Sequence, residues 1–332
     1  MLTLALLSIA GTALASIEGN KAYMTRPLIA FLSWPVTRWE YHDGQLNFPY
    51  GVASGDPYPN SVILWTHPVP STDDFRPVCL EYQVSNSNSS WSELVTSDQV
   101  WTTQDVDYSY KVERSWEPRA ETDVLLSLRQ LRRQRQRLAD SLSFAVYSCS
   151  NYPFGFFNAY GNAARRDDVD YALHVGDYIY EYQGDGCEDG NTCYRDGRDI
   201  DRVPLPNHEI LTFDDYRQRY KTYRSDPDLQ LLHQKHAWQL IWDHHEVADN
   251  TWMSGSADSN DTITGTYYNV SFTQRKANAV KVYFEWLPIR TVETDDSLRI
   301  WRSFQFGTLA DFYMLNTRQY NRDLTDLYYN SK

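Results

Sequence analysis

Tyr171-Ala172-Leu173-His174-Val175-Gly176-Asp177-Tyr178-Ile179-Tyr180 is the stretch whose reading decides the fold. The run over 171–175 reads as a short buried strand, and Gly176 lets the chain turn sharply into the carboxylate of Asp177. Layered α/β enzymes place their ligands at the carboxyl ends of core strands. Tyr180 follows three residues later, near enough to point its phenol at the same ion. Two other runs repeat the form. Residues 144–148, Phe-Ala-Val-Tyr-Ser, end at Cys149, and residues 237–242, Ala-Trp-Gln-Leu-Ile-Trp, end in Asp243-His244-His245-Glu246. Three strands that each deliver hard or imidazole ligands at their carboxyl ends predict one dinuclear metal centre.

These residues carry a resemblance. Ser-Cys149-Ser, Gly-Asp177-Tyr-Ile-Tyr180-Glu-Tyr and Trp242-Asp-His-His-Glu-Val-Ala-Asp-Asn250 resemble the metal-site motifs of PhoD-like alkaline phosphatases, a family of calcineurin-like metallophosphoesterases. Asp177 and Tyr180 also match the Gly-Asp-x-x-Tyr motif of purple acid phosphatases, where the Asp bridges two metals and the Tyr binds ferric iron. Each motif alone is weak; together they are specific, and the resemblance runs over 45–112 and 143–332.

The resemblance implies a four-layer α/β sandwich preceded by a small β-sandwich domain. It implies hydrolysis of a phosphate ester, with ferric iron at Cys149, Asp177 and Tyr180 and calcium ions beside it. His244 stands where the family has Asp; imidazole suits a transition metal and suits calcium poorly. His245 matches the position that hydrogen-bonds or protonates the leaving oxygen. Asp243 and Glu246 are expected behind the ligands, holding the imidazoles in orientation, with Asp249 and Asn250 fixing the loop.

Composition bounds the alternatives. The 332 residues carry a net charge of −13, with 42% apolar and 15% aromatic residues. That supports a substantial core and speaks against nucleic acid as a principal partner. Residues 1–15 are apolar and end in Ala13-Leu14-Ala15, a small-x-small cleavage pattern, although no Lys or Arg precedes the run. It is short for a membrane span, which needs about 20 residues, so the expectation is a secretion signal and an extracellular protein; an apolar terminus from a mis-set start codon is the bland alternative. Cys187 and Cys193, in a Gly- and Asp-rich loop at 184–201, are expected to pair in a secreted protein. Cys149 is assigned to metal, Cys79 to a buried free thiol. Sequons at Asn88, Asn260 and Asn269 fit secretion, though such tripeptides arise by chance.

The amino-terminal domain is expected over 45–142. Turn residues Gly55-Asp56-Pro57 and Pro59-Asn60 precede a strand at 62–66, with further strands near 78–84, 93–95 and 108–112, a β-sandwich pattern with no catalytic residue. Residues 114–140 break it with Leu125, Leu126, Leu128, Leu131 and Leu138 interleaved with five arginines. A solvated linker helix and a patch for nucleic acid or acidic lipid are two readings. The third, favoured because the family pattern resumes abruptly at Leu142, is a segment translated in a shifted frame.

The catalytic domain is expected over 143–332. A helix is predicted where the segment 151–160 leads on to about Arg166, with further helices over 213–224, 228–236 and 274–286, and strands over 300–306 and 311–315 around a turn at Gly307. His233 and His236 have the i, i+3 spacing of paired ligands, but packing is the preferred reading. Arg318 is assigned a surface or salt-bridge role ahead of phosphate contact. No histidine follows Glu246 and the sequence stops at Lys332, so a carboxyl-terminal truncation, an incomplete four-layer sandwich and weak or absent turnover are expected. The rival is a non-catalytic relative or fragment acting as a binding protein.

Overall fold

The computed structural model describes residues 46–59, 61–71, 75–85, 94–115, 141–166, 168–183, 195–256, 270–290 and 300–319. Its strands are β1 (Leu46–Asn47), β2 (Val52–Tyr58), β3 (Ser61–Thr66), β4 (Val69–Pro70), β5 (Val78–Ser85), β6 (Leu94–Thr102), β7 (Tyr110–Ser115), β8 (Phe144–Tyr147), β9 (Tyr171–His174), β10 (Ala237–Leu240), β11 (Arg302–Phe306) and β12 (Ala310–Met314). The α-helices are α1 (Asn158–Arg166), α2 (Arg195–Asp199), α3 (Phe213–Arg224), α4 (Pro227–Lys235) and α5 (Phe272–Trp286). The leader at 1–15, most of the Arg-rich stretch, Cys187, Cys193 and the three sequons lie outside the described residues.

Six strands form one mixed sheet in the order β7-β3-β2-β10-β9-β8. β8, β9, β10 and β2 are parallel to one another, and β3 and β7 are added antiparallel. β9 is buried at every residue, the pattern of a parallel strand covered on both faces. Its carboxyl end therefore lies between those of β8 and β10, on one edge of the sheet.

The amino-terminal strands depart from the expected separate sandwich. β2, β3 and β7 continue the central sheet through the β2–β10 pairing, while β5 and β6 form a two-stranded hairpin with its own small core of Val78, Leu80 and Val100. The reason lies in the burial: five consecutive residues of β2 and five of β3 are buried. A strand with one solvated face would alternate instead. Gly55-Asp56-Pro57 is likewise not a turn before a strand. It lies inside β2, where the register shifts between Gly55 and Tyr58. A side chain at Gly55 would run into the carbonyl oxygen of Pro288 and stand 2.9 Å from that of Trp238 in β10, so the packing of both against β2 needs glycine there. Cys79 is buried and unpaired, as expected.

The helices follow their sequence signals. α3 begins with a capping box between Thr212 and Asp215 and buries Tyr216, Tyr220 and Tyr223 completely. α4 is capped by Asp226 with Pro227 in its first turn. His233 of α4 stacks on Trp238 at 3.9 Å between ring centroids and hydrogen-bonds the Tyr178 hydroxyl at 2.8 Å. His233 and His236 are both buried and serve packing. No helix among the described residues is long and apolar enough to cross a membrane.

Candidate metal centre

Backbone geometry brings the three strand ends together. Beyond β8, the Cys149 amide donates to the Gly176 carbonyl at 3.1 Å and the Ser150 amide to the Asp177 carbonyl at 2.9 Å. On the other side the Ile241 amide donates to the His174 carbonyl at 3.1 Å. Gly176 has a positive φ of 112°, and a Cβ there would sit 2.5 Å from the Asp243 Cβ. Only glycine permits that approach. Cys149 and Asp177 are themselves left-handed, both at φ 57°, a conformation that costs a non-glycine residue about 1–3 kcal/mol and collects at functional sites.

The side chains converge accordingly. Cys149 Sγ lies 3.5 Å from Asp177 Oδ2. Asp177 Oδ1 faces the amides of His244 and His245 at 3.5 and 3.3 Å. Ligand atoms of Asp177, His244 and His245 all lie within 4.8 Å of one another. The Tyr180 ring stacks on that of His245 at 4.1 Å. Burial pushes the Tyr180 phenol far above its ordinary range, and the neighbouring Asp177 and Cys149 push it the same way. A bound cation reverses that electrostatic balance.

Each imidazole is held by a carboxylate, though not by the pair the sequence singled out. Asp243 Oδ2 takes His244 Nδ1 at 2.7 Å, as expected. Glu246 instead receives two backbone amides, Tyr178 at 2.7 Å and Asp243 at 3.0 Å, and so ties the ends of β9 and β10 together. Its own carboxyl is pushed up to about 8, by burial first and by Asp177 second. The carboxylate on His245 is Glu181, at 2.8 Å from Nδ1. Burial pulls the His245 imidazolium down, but Glu181, Asp177 and Asp249 together outweigh it and raise its pKa to about 9. Glu181 sits in the quoted Gly-Asp-Tyr-Ile-Tyr-Glu-Tyr motif, and its position next to Tyr180 was the signal available for it.

Two α3 residues also support the site. The Tyr223 hydroxyl accepts from the amides of Tyr152 and Tyr180 at 3.3 and 3.2 Å. Arg219 donates to the Tyr180 carbonyl and to those of Leu205, Pro206 and His208. Arg318 forms an ion pair with Asp243, Nε to Oδ1 at 2.9 Å. Asn316 turns its side chain onto the amides of Arg318 and Gln319.

The PhoD-like phosphatase sequence profile matches residues 144–332, and the PhoD-like phosphatase N-terminal domain profile matches residues 35–116. The chain belongs to the PhoD-like phosphatase family. It is 28% identical over 301 residues to alkaline phosphatase D of Bacillus subtilis (strain 168), covering 83% of this chain and 47% of that protein. A solved structure titled "Structure of PhoD" superposes with a TM-score of 0.65 at 27% identity, covering 87% of this chain and 54% of the other. The chain thus spans about half the length of these PhoD-like relatives. Within that span the PhoD-like profile includes every strand end that builds the site.

Proposed function

We propose that the protein hydrolyses phosphate esters with the help of metal ions held at the carboxyl ends of β8, β9 and β10. The observation that carries this reading is the convergence of Asp177 and His244 beside Cys149, with the His245 imidazole next to them as proton donor. Thiolate, phenolate, carboxylate and imidazole together fit a first-row transition ion, and iron(III) is the ion assigned to Cys149, Asp177 and Tyr180. His244 is the further ligand. Calcium takes about six to eight oxygen ligands, and the imidazole of His244 supplies none of them. A bound ion supplies Lewis acidity to the phosphoryl oxygens and acidifies water.

The protein's own groups do the remaining work. Asp177 fixes the centre of the site. Glu181 holds the His245 ring, leaving Nε2 to carry a proton to the leaving oxygen, the role its raised pKa suits. Stacking on Tyr180 limits the ring's rotation. The four-layer architecture and secretion from the apolar leader belong to the same reading, which the family membership and Met1–Ala15 support. Nothing in the geometry favours the non-catalytic alternative.

Reconstitution of the purified chain with iron and calcium, followed by metal analysis and an aryl phosphate assay, tests the reading. Asp177→Asn is expected to lose both metal and turnover. His245→Ala is expected to keep metal and lose about 10²–10⁴-fold in kcat, the scale of general acid catalysis. The exposed His208→Ala is expected to change neither. Metal content indifferent to Asp177 would overturn the assignment.

A further inference from the structure

We propose that Arg318 is a positioning residue for His244, acting through Asp243 to decide which imidazole nitrogen faces the metal. The inference rests on the reading of His244 as a ligand. Two carboxylates flank this one ring: Asp243 Oδ2 lies 2.7 Å from Nδ1, and Asp249 Oδ1 lies 3.5 Å from Nε2. A neutral imidazole carries one proton, so it donates to one carboxylate or the other. Donation to Asp243 leaves the Nε2 lone pair free for a metal. Donation to Asp249 removes it.

Arg318 weights that choice. Its Nε donates to Oδ1 of Asp243 at 2.9 Å, so the two oxygens of one carboxylate are divided between guanidinium and imidazole. The Asp243 backbone is fixed as well, by Glu246 on its amide and by Gly176 packed against its Cβ. Arg318 is presented by a turn in which Asn316 accepts from the amides of residues 318 and 319 at 3.2 and 3.1 Å. The Gln319 carbonyl accepts from Lys276 of α5 at 3.4 Å, which anchors that turn to the fold. Asp249 has no such guanidinium on it among the described contacts and stands farther from the ring. Carboxylates behind metal-bound imidazoles fix tautomer and raise basicity, and their loss costs about 10–100-fold in metal affinity. Arg318 extends that arrangement one residue outward.

The test uses the full chain, stripped of metal and titrated with cobalt(II), a transition ion visible by its absorption. Arg318→Met is expected to weaken cobalt binding, by less than the about 10–100-fold that loss of Asp243 itself would cost, and to shift the His244 proton from Nδ1 toward Nε2 in nitrogen NMR of the metal-free protein. Arg318→Lys is expected to recover part of both, since an ammonium still pairs with the carboxylate. If Arg318→Met does not fold, Arg318→Gln carries the same expectation. Cobalt affinity and tautomer both unchanged would overturn the proposal. Asp177→Asn separates the two layers: if it abolishes cobalt binding while Arg318→Met does nothing, only this inference fails. If Asp177→Asn is also silent, the metal reading fails with it.

Discussion

Glu181 and His245 show how one contact sets the chemistry of a residue. Burial alone favours a neutral imidazole, whereas the adjacent carboxylate lifts the pKa to about 9. A histidine whose folded pKa exceeds its ordinary 6.5 stabilises the fold in full below that value and loses the contribution as pH rises through about 9. The shift corresponds to something on the order of 3 kcal/mol in the metal-free protein. Glu246, raised to about 8, loses stability in the same direction over a lower range, so the two must be separated. Urea unfolding of chelated wild type and Glu181→Gln from pH 6 to 10 does so. The stability gap between them is expected to close as pH climbs past about 9; a constant gap would mean that Glu181 does not charge His245.

At the level of the elements, two of the glycines with positive φ, Gly307 and Gly176, show strain without crowding and with it. Gly307, in the β11–β12 turn at φ 55°, has open space where a Cβ would go. Gly307→Ala is expected to cost about 1–2 kcal/mol and leave metal binding alone. Gly176→Ala meets greater strain, at φ 112° outside the left-handed helical region, plus Asp243 at 2.5 Å, so a larger loss is expected, together with weakened cobalt binding as β9 and β10 are forced apart. Equal losses in the two variants would show that the strand ends relax freely. The same elements show what the sequence made legible. Short apolar runs ending in Cys149, Asp177 and Asp243 announced three strands and their edge, because a buried strand and its terminal ligand are local patterns. α3 was predicted at its observed limits for the same reason. The pairing of β2 with β10 was not legible, since it joins residues some 180 positions apart, and only tertiary packing selects that register. Glu246 was expected on an imidazole and Glu181 holds His245 instead; which carboxylate reaches which ring depends on how two strand ends meet.

Across the whole molecule, Asp56 links parts of the chain that the sequence placed in different domains. It is fully buried in β2, and its carboxylate takes Arg302 of β11, with Nη2 to Oδ1 at 2.7 Å, and the Arg290 amide at 2.6 Å. Arg302 also donates to the Leu240 carbonyl at 2.7 Å, at the end of the strand that carries the histidines. One ion pair therefore ties the amino-terminal strands, the segment after α5 and the β11–β12 hairpin to the metal-bearing edge. Removing one partner of a buried pair leaves an uncompensated charge and costs about 3–5 kcal/mol, whereas replacing both by apolar groups is often neutral. Asp56→Ala is thus expected to destabilise by that amount, leaving Arg302 buried with only carbonyl oxygens. The double variant Asp56→Leu with Arg302→Met is expected to recover much of the loss in urea unfolding. Because Arg302 also holds Leu240, the double variant should still bind cobalt more weakly than wild type, despite its recovered stability. A double variant as unstable as Asp56→Ala would show that the contacts to Leu240 and Arg290, and not the charge pair, hold these segments together.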